Sequence, residues 1–103
     1  MKFEDLEFKY FDGIEEDSFW GVAEITFKNG NGLRVTYGTH AFCDFGWNYE
    51  ISVLLYESPQ RIRSWGGSRV KGYVEPEEID DILRAAKNLE TNEEYINWIE
   101  DNI

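Results

Sequence analysis

Apolar and polar residues alternate along three stretches in the first part of the chain. The alternation runs through residues 6–10, 19–28 and 33–37. A period of two is typical of β-strands that bury one face. Between the second and third stretches, residues 29–32 read NGNG, and Asn and Gly tolerate the positive φ angles of tight hairpin turns. We therefore expect an antiparallel hairpin over residues 19–38.

A longer apolar stretch follows at residues 49–56, where side chains on both faces are largely apolar. This pattern predicts a central strand that is covered on both faces, at least in part. Residues 60–65 and 69–74 flank the pair Gly66-Gly67, which predicts a further hairpin. Together with the strand at residues 6–10, these stretches predict five to six strands.

The last third of the chain has helical periodicity. Pro76 suits a first helical position, and the sequence TNEE places Thr91 as N-cap with Glu94 three residues later, which is a capping box. We predict helices over residues 76–89 and 92–102. The apolar residues that share one face of the first helix are Ile79, Ile82, Leu83, Ala86 and Leu89.

Strands followed by helices indicate the α+β class. We predict a single domain of 103 residues in which an antiparallel sheet of about five to six strands, within residues 3–74, carries both helices on one face. The aromatic content of 17% supports a folded chain despite its high charge.

The charge is spread unevenly. The chain has a net charge of −11. Residues 1–17 carry seven acids and two bases, residues 18–74 carry four acids and six bases, and residues 75–103 carry ten acids and two bases. An acidic surface repels nucleic acids and membranes and attracts basic protein surfaces, so we expect neither a membrane nor a nucleic acid as a direct partner.

Candidate catalytic and metal-binding groups are few. The chain has one His and one Cys, His40 and Cys43, which lie three residues apart in a predicted loop. This spacing provides neither contact between a nucleophile and a base nor a donor for an oxyanion. One imidazole and one thiol also argue against a soft-metal site. No glycine-rich phosphate loop opens a helix. We expect a protein without enzymatic activity, metal or cofactor.

The remaining signals concern location. The first residues, MKFEDLEF, lack the basic and apolar regions of a signal peptide, and no apolar run approaches the ~20 residues of a membrane span. A lone Cys fits a reducing compartment. We predict a soluble cytoplasmic protein.

One stretch departs from the acidic character of the chain. Residues 60–72 hold four of the ten basic residues around one Trp and two Gly. The simplest interpretation is a surface hairpin whose arginines pair with acids of the same domain. Arg61, Arg63, Trp65 and Arg69 are also candidates for contact with a partner, because Trp and Arg are common interface anchors.

Three stretches resemble a set of small proteins common in bacteriophage genomes. They are NGNGLRVTYGTH at residues 29–40, YEISVLL at 49–55 and VKGYVEPEEIDDIL at 70–83. The resemblance covers residues 25–90 and implies an α+β fold and a phage or prophage origin, which places the protein in the cytoplasm of a host cell. The basic segment at residues 58–69 departs from the pattern, since such proteins usually have a polar turn there.

This origin and the acidic charge favour one function. We expect an anti-CRISPR-like inhibitor that binds a basic surface of a host nucleic-acid-processing defence protein, in part by mimicking nucleic acid. The acidic residues that we expect to contact the partner are Glu77, Asp80, Asp81, Glu93 and Glu94.

Three alternatives stay open. An immunity-type protein that neutralises a basic toxin would use the same acidic surface. A self-associating structural or regulatory phage protein would form homodimers through an exposed Trp or a β edge. A phosphorylated small molecule could bind Arg61, Arg63 and Trp65, and a thermal shift with a nucleotide panel would detect it.

Overall fold

An antiparallel sheet of consecutive strands forms the framework of the protein. The computed structural model describes residues 1–12, 19–38, 41, 43, 48–55 and 70–103. The elements, after a 3₁₀ helix at Phe3–Asp5, are β1 (Lys9–Asp12), β2 (Phe19–Thr26), β3 (Asn31–Gly38), β4 (Tyr49–Leu55), β5 (Val70–Val74), α1 (Pro76–Asn88) and α2 (Asn92–Asn102). The five strands lie in sequence order, and each pairs with the next in antiparallel fashion.

The register of the sheet aligns its apolar positions into rows across neighbouring strands. Ala23, Val35 and Ile51 form one row, and Ile25, Leu33 and Val53 form the next. Because side chains alternate between the two faces of a strand, these six residues share one face. Five of them are buried, and Ile25 is partly buried against the core.

Both helices cover this face of the sheet. The residues of α1 and α2 that complete the buried core are Ile79, Ile82, Leu83, Ala86, Tyr95, Ile96 and Ile99. The α+β class, the antiparallel sheet and the packing of both helices on one face are therefore confirmed. The Thr91 hydroxyl accepts a hydrogen bond from the backbone N–H of Glu94 at 3.1 Å, so Thr91 is the N-cap of α2 as predicted.

The N-terminal segment differs from the sequence prediction. The alternation at residues 6–10 predicts a strand, but β1 begins only at Lys9. Phe3, Leu6 and Phe8 instead pack against the edge of the core, and the backbone N–H of Phe3 donates to Asp80 Oδ1 at 2.5 Å. This attachment to α1 holds the segment away from β2. The predicted strand at residues 60–65 lies outside the described residues.

The NGNG stretch forms the predicted hairpin turn and also binds the end of α1. The backbone N–H of Gly30 donates to Phe27 O at 3.0 Å, and Gly30 has a φ of 87°, which favours glycine. Asn31 is fully buried, and its side-chain amide donates to Ala86 O at 3.1 Å and Leu89 O at 2.9 Å. Carbonyls at the end of a helix lack hydrogen-bond donors within the helix, and the Asn31 amide is the donor for these two.

Two further asparagines complete this junction, which we call the asparagine junction (Asn29, Asn31 and Asn92). The Asn29 amide donates to Ala86 O and Leu89 O, each at 2.7 Å, and the Asn92 amide donates to Asn31 Oδ1 at 2.7 Å. The hairpin turn therefore fixes both the end of α1 and the start of α2.

Tyr95 links α2 to the same hairpin. Its hydroxyl donates to Gly32 O at 2.9 Å in a buried position. We expect Tyr95→Phe to lower the free energy of unfolding by about 0.5–1.5 kcal/mol, because the buried hydrogen bond to the Gly32 carbonyl would be lost. Urea unfolding followed by circular dichroism measures the change. Tyr73→Phe, on a side chain that is 58% exposed, is the control with an expected change near zero.

Candidate functional site

The outer surface of the two helices is strongly acidic. Residues 75–103 hold ten acids and two bases, and all of them lie in the described part of the chain. Since α1 and α2 bury their apolar faces against the sheet, most of these acids lie on the exposed side. We call this surface, formed by the outer faces of Pro76–Asn88 and Asn92–Asn102, the acidic helical surface.

The first group of predicted contact residues lies at the start of α1, where the three carboxylates differ in their surroundings. Glu77 is exposed and has no ion-pair partner among the described residues. Asp80 is half-buried and accepts the hydrogen bond from the Phe3 backbone. Asp81 is exposed and forms an ion pair of 3.2 Å with Arg84. Glu77 is therefore the most available of the three to a partner.

The second group, Glu93 and Glu94, lies in the first turn of α2 and is exposed. The asparagine junction places this turn beside the end of α1, whereas Glu77 lies at its start. A helix of 13 residues is about 20 Å long, given a rise of 1.5 Å per residue. The five predicted acids therefore do not meet at one point. They mark the two ends of an extended acidic surface.

A shallow groove of about 230 Å³ lies within this surface between the two helices. Half-buried Trp98 of α2 lines it together with Asp81, Arg84 and Ala85 of α1. An aromatic ring beside charged groups is a common feature of protein interfaces. The spacing of apolar residues along α2 does not decide whether Trp98 is turned inward, and the structure places it at the groove between the helices.

The basic candidates cannot be placed in this way. Arg61, Arg63, Trp65 and Arg69 lie outside the described residues, as does His40. Cys43 is half-buried, and its Sγ lies 3.9 Å from Gly38 O. Within the described ranges, no group of three His, Cys, Asp or Glu side chains could hold a metal ion.

An aromatic cluster beside the start of β1 did not emerge from the sequence. Its members are Phe3, Phe8, Tyr10, Tyr37 and Tyr49, with neighbouring ring centroids 4.8–6.1 Å apart. Gly21 makes room for it, because a Cβ at this position would lie 2.7 Å from the Tyr37 ring. The strand periodicity indicates that these side chains are turned to one face, but their contact depends on register.

The cluster shifts the ionisation of its tyrosines. Burial, followed by the hydrogen bond with Tyr10 and the charges of Tyr10 and Tyr49, raises the pKa of Tyr37 to about 12 from an ordinary value of 10.0. Burial likewise raises the pKa of Tyr49 and that of Tyr95 in the core. A proton is therefore held more tightly in the folded than in the unfolded chain.

This difference predicts alkaline destabilisation. Below pH 10 both states keep the Tyr37 proton, and between pH 10 and about 12 only the unfolded state loses it, so stability falls across this window. We expect the free energy of unfolding in urea to drop from pH 9 to pH 11. The informative quantity is the difference from Tyr37→Phe, whose decline should be shallower. Parallel curves for the two proteins would contradict the assignment.

Comparison with known proteins identifies no relative. No protein-family model, curated protein or solved structure matches the chain. The resemblance to small phage proteins therefore stays a prediction.

In the described ranges, no helix has the length and apolar character needed to cross a membrane.

Proposed function

We propose that the protein is a non-enzymatic, anti-CRISPR-like inhibitor that binds the nucleic-acid groove of a host defence protein through the acidic helical surface. The observation that carries this proposal is the excess of eight acids over two bases on the two helices. A groove that binds nucleic acid is lined by Lys and Arg, so an acidic surface is complementary to it.

The density of charge supports mimicry of a phosphate backbone. Four carboxylates, at Glu77, Glu78, Asp80 and Asp81, fall within five residues of α1. Five residues span about 6 Å of helix axis from first to last, at a rise of 1.5 Å per residue. One strand of DNA places a phosphate about every 3.4 Å along its axis. The start of α1 thus carries carboxylates at least as closely spaced along its axis as the phosphates of one DNA strand, although Asp81 is paired with Arg84.

The elongated shape of the acidic helical surface supports a groove as its target. Glu77 lies at the start of α1, and Glu93 lies in the first turn of α2, beside the other end of α1, a helix about 20 Å long. A pocket that binds a small cation needs converging carboxylates, whereas an elongated basic groove is matched by acids spread along a helix. The origin of the protein and the class of its target rest on the sequence resemblance.

Cleavage assays test the proposal. Purified host RNA-guided DNA nucleases and restriction endonucleases are incubated with the protein and a labelled duplex. We expect inhibition of at least one nuclease, with potency that weakens as salt rises from 50 to 300 mM, because screening reduces attraction between opposite charges. Absence of inhibition throughout the panel, or inhibition that strengthens with salt, would overturn the proposal.

A secreted nuclease toxin with a basic surface is added to the panel to distinguish an inhibitor of defence nucleases from an immunity-type protein. An immunity-type protein would inhibit the toxin and leave the defence nucleases active. That outcome would replace the proposed target while retaining the acidic helical surface as the contact.

A further inference from the structure

One edge of the sheet extends beyond its neighbouring strand. β1 pairs Lys9–Asp12 with residues 19–22 of β2, but β2 continues to Thr26. Residues 23–26 therefore have no partner strand on this side within the described part of the chain. The N-terminal segment, which would continue the pairing, is held away by its attachment to α1.

The backbone groups at this edge point outward. The backbone N–H of Phe27 donates to Asn31 O at 2.9 Å, so the backbone polar groups of Phe27 point towards β3. Backbone polar groups in an antiparallel strand alternate in direction from residue to residue. Those of Glu24 and Thr26 therefore point away from β3, towards the open edge. Both residues are exposed, so the edge offers N–H donors and C=O acceptors for another strand.

A cleft lies along this edge. It has a volume of about 690 Å³ and separates β2 from the N-terminal segment. This volume falls in the range of pockets that bind ligands. Half-buried Leu6, Phe8 and Ile25 line the cleft and supply apolar contacts.

The charged groups of the cleft are mainly acidic. Asp5, Glu7 and Glu24 line it, against one basic side chain, Lys9. Glu24 is paired with Arg34 across β2 and β3, whereas exposed Glu7 has no ion-pair partner among the described residues. The cleft therefore complements a segment that carries basic side chains.

We propose that this cleft binds an extended, basic peptide segment of a partner protein, which adds a strand to the edge of β2. Backbone hydrogen bonds to Glu24 and Thr26 would hold the segment, as in other complexes formed by strand addition. Alternate side chains of the segment reach opposite faces of the sheet. Those on one face contact Ile25 and its apolar neighbours, and those on the other meet Glu7 and Glu24. This surface is separate from the acidic helical surface, so neither proposal depends on the other.

Titration with designed peptides, followed by the amide signals of the isotope-labelled protein, tests the proposal. The probe is a capped hexapeptide of alternating Lys and Val. One control replaces each Lys with Glu, and a second replaces the two central residues with Pro to remove N–H donors. We expect the Lys-Val peptide to shift the amides of residues 23–26 and to slow hydrogen exchange at Glu24 and Thr26. Each control should bind at least tenfold more weakly.

Variants of the protein provide the second test. Thr26→Pro removes an N–H that points to the open edge and leaves the hydrogen bonds to β3 intact, and proline is tolerated at sheet edges. Glu7→Lys reverses a charge inside the cleft, and Glu4→Lys makes the same change on an exposed residue outside its lining. We expect the first two variants to weaken peptide binding at least fivefold and Glu4→Lys to leave it within twofold. Glu7→Lys keeps the test decisive should Thr26→Pro fail to fold.

Several outcomes would overturn the proposal. Equal binding of the Lys and Glu peptides would show that the partner segment is not selected by its basic charge, and shifts confined to α1 and α2 would show that the edge is not the site. Slow exchange at Glu24 and Thr26 without peptide, in a sample that light scattering shows to be dimeric, would assign the edge to a second copy of the chain. None of these outcomes bears on nuclease inhibition, which is measured separately.

Discussion

Replacing Asn31 with leucine is expected to lower the free energy of unfolding by roughly 2–4 kcal/mol, since several buried polar groups would lose a partner at about 1–3 kcal/mol each. The Asn31 side chain donates to Ala86 O and Leu89 O and accepts from the Asn92 amide. Leucine has the same branched shape, with methyl groups in place of the amide oxygen and nitrogen, so the change removes the hydrogen bonds without opening a cavity. Urea unfolding followed by circular dichroism measures the loss.

Asn29 provides the matched comparison. Its amide binds Ala86 O and Leu89 O as well, but the side chain is only half-buried. Water can reach part of this site, so we expect Asn29→Ala to cost less than Asn31→Leu. Because both residues donate to the same two carbonyls, each single variant leaves these carbonyls one donor, so we expect the double variant to lose more than the sum of the single losses. Equal losses for the single variants, or a change below 0.5 kcal/mol for Asn31→Leu, which is about the size of ordinary surface effects, would contradict the role of the buried amide.

The second large effect concerns inhibition. We expect the triple variant Glu77→Gln, Glu93→Gln, Glu94→Gln to raise the concentration needed for half-inhibition of a susceptible nuclease about tenfold at low salt, because opposite charges steer association. The difference from the unchanged protein should shrink as salt screens the charges. Glutamine, like glutamate, completes a capping box at the third helical position, so the change at residue 94 should leave α2 stable.

A control variant separates the surface from net charge. Glu7→Gln, Glu24→Gln, Glu50→Gln removes the same number of charges from the N-terminal segment, β2 and β4, outside the two helices. We expect this control to inhibit within about twofold of the unchanged protein, a change below the ~1.4 kcal/mol that corresponds to a factor of ten. If both triple variants weaken inhibition equally, net charge rather than the helical surface determines binding, and the assignment of the contact is wrong.

The helices could be predicted closely because their ends are set by neighbouring residues. Pro76 begins α1 as expected, and Thr91 caps α2 through a bond to a residue three positions away. The predicted range 76–89 exceeds the observed helix by one residue, since Leu89 is already extended at ψ 131°. Such local interactions are visible in a single sequence.

The contacts between distant parts of the chain could not be predicted in this way. The turn at residues 29–32 followed from the preferences of Asn and Gly, but its bonds to α1 join residues more than 50 positions apart. The alternation at residues 6–10 predicted a strand, but only Lys9 and Tyr10 of this stretch belong to β1, because Leu6 and Phe8 pack against the core instead. The aromatic cluster was missed for a related reason, because strand register decides which rings meet.

The sequence predicted which residues form the candidate site but not how they are arranged. Sequence alone indicated that Glu77, Glu93 and Glu94 are exposed acids of helix first turns, and the structure agrees. Sequence could not indicate that Asp80 binds the Phe3 backbone or that the acids mark two ends of one surface. Both depend on how the segments pack.

Competition with DNA tests whether the acidic helical surface occupies the nucleic-acid groove. A nuclease that the protein inhibits is loaded with a fluorescent duplex, and the anisotropy of the duplex is followed as the protein is added. We expect the anisotropy to fall to the value of free DNA, and we expect more protein to be needed as the DNA concentration rises. A stable anisotropy together with full inhibition would show that the protein binds elsewhere and would contradict occupation of the nucleic-acid groove by the acidic helical surface.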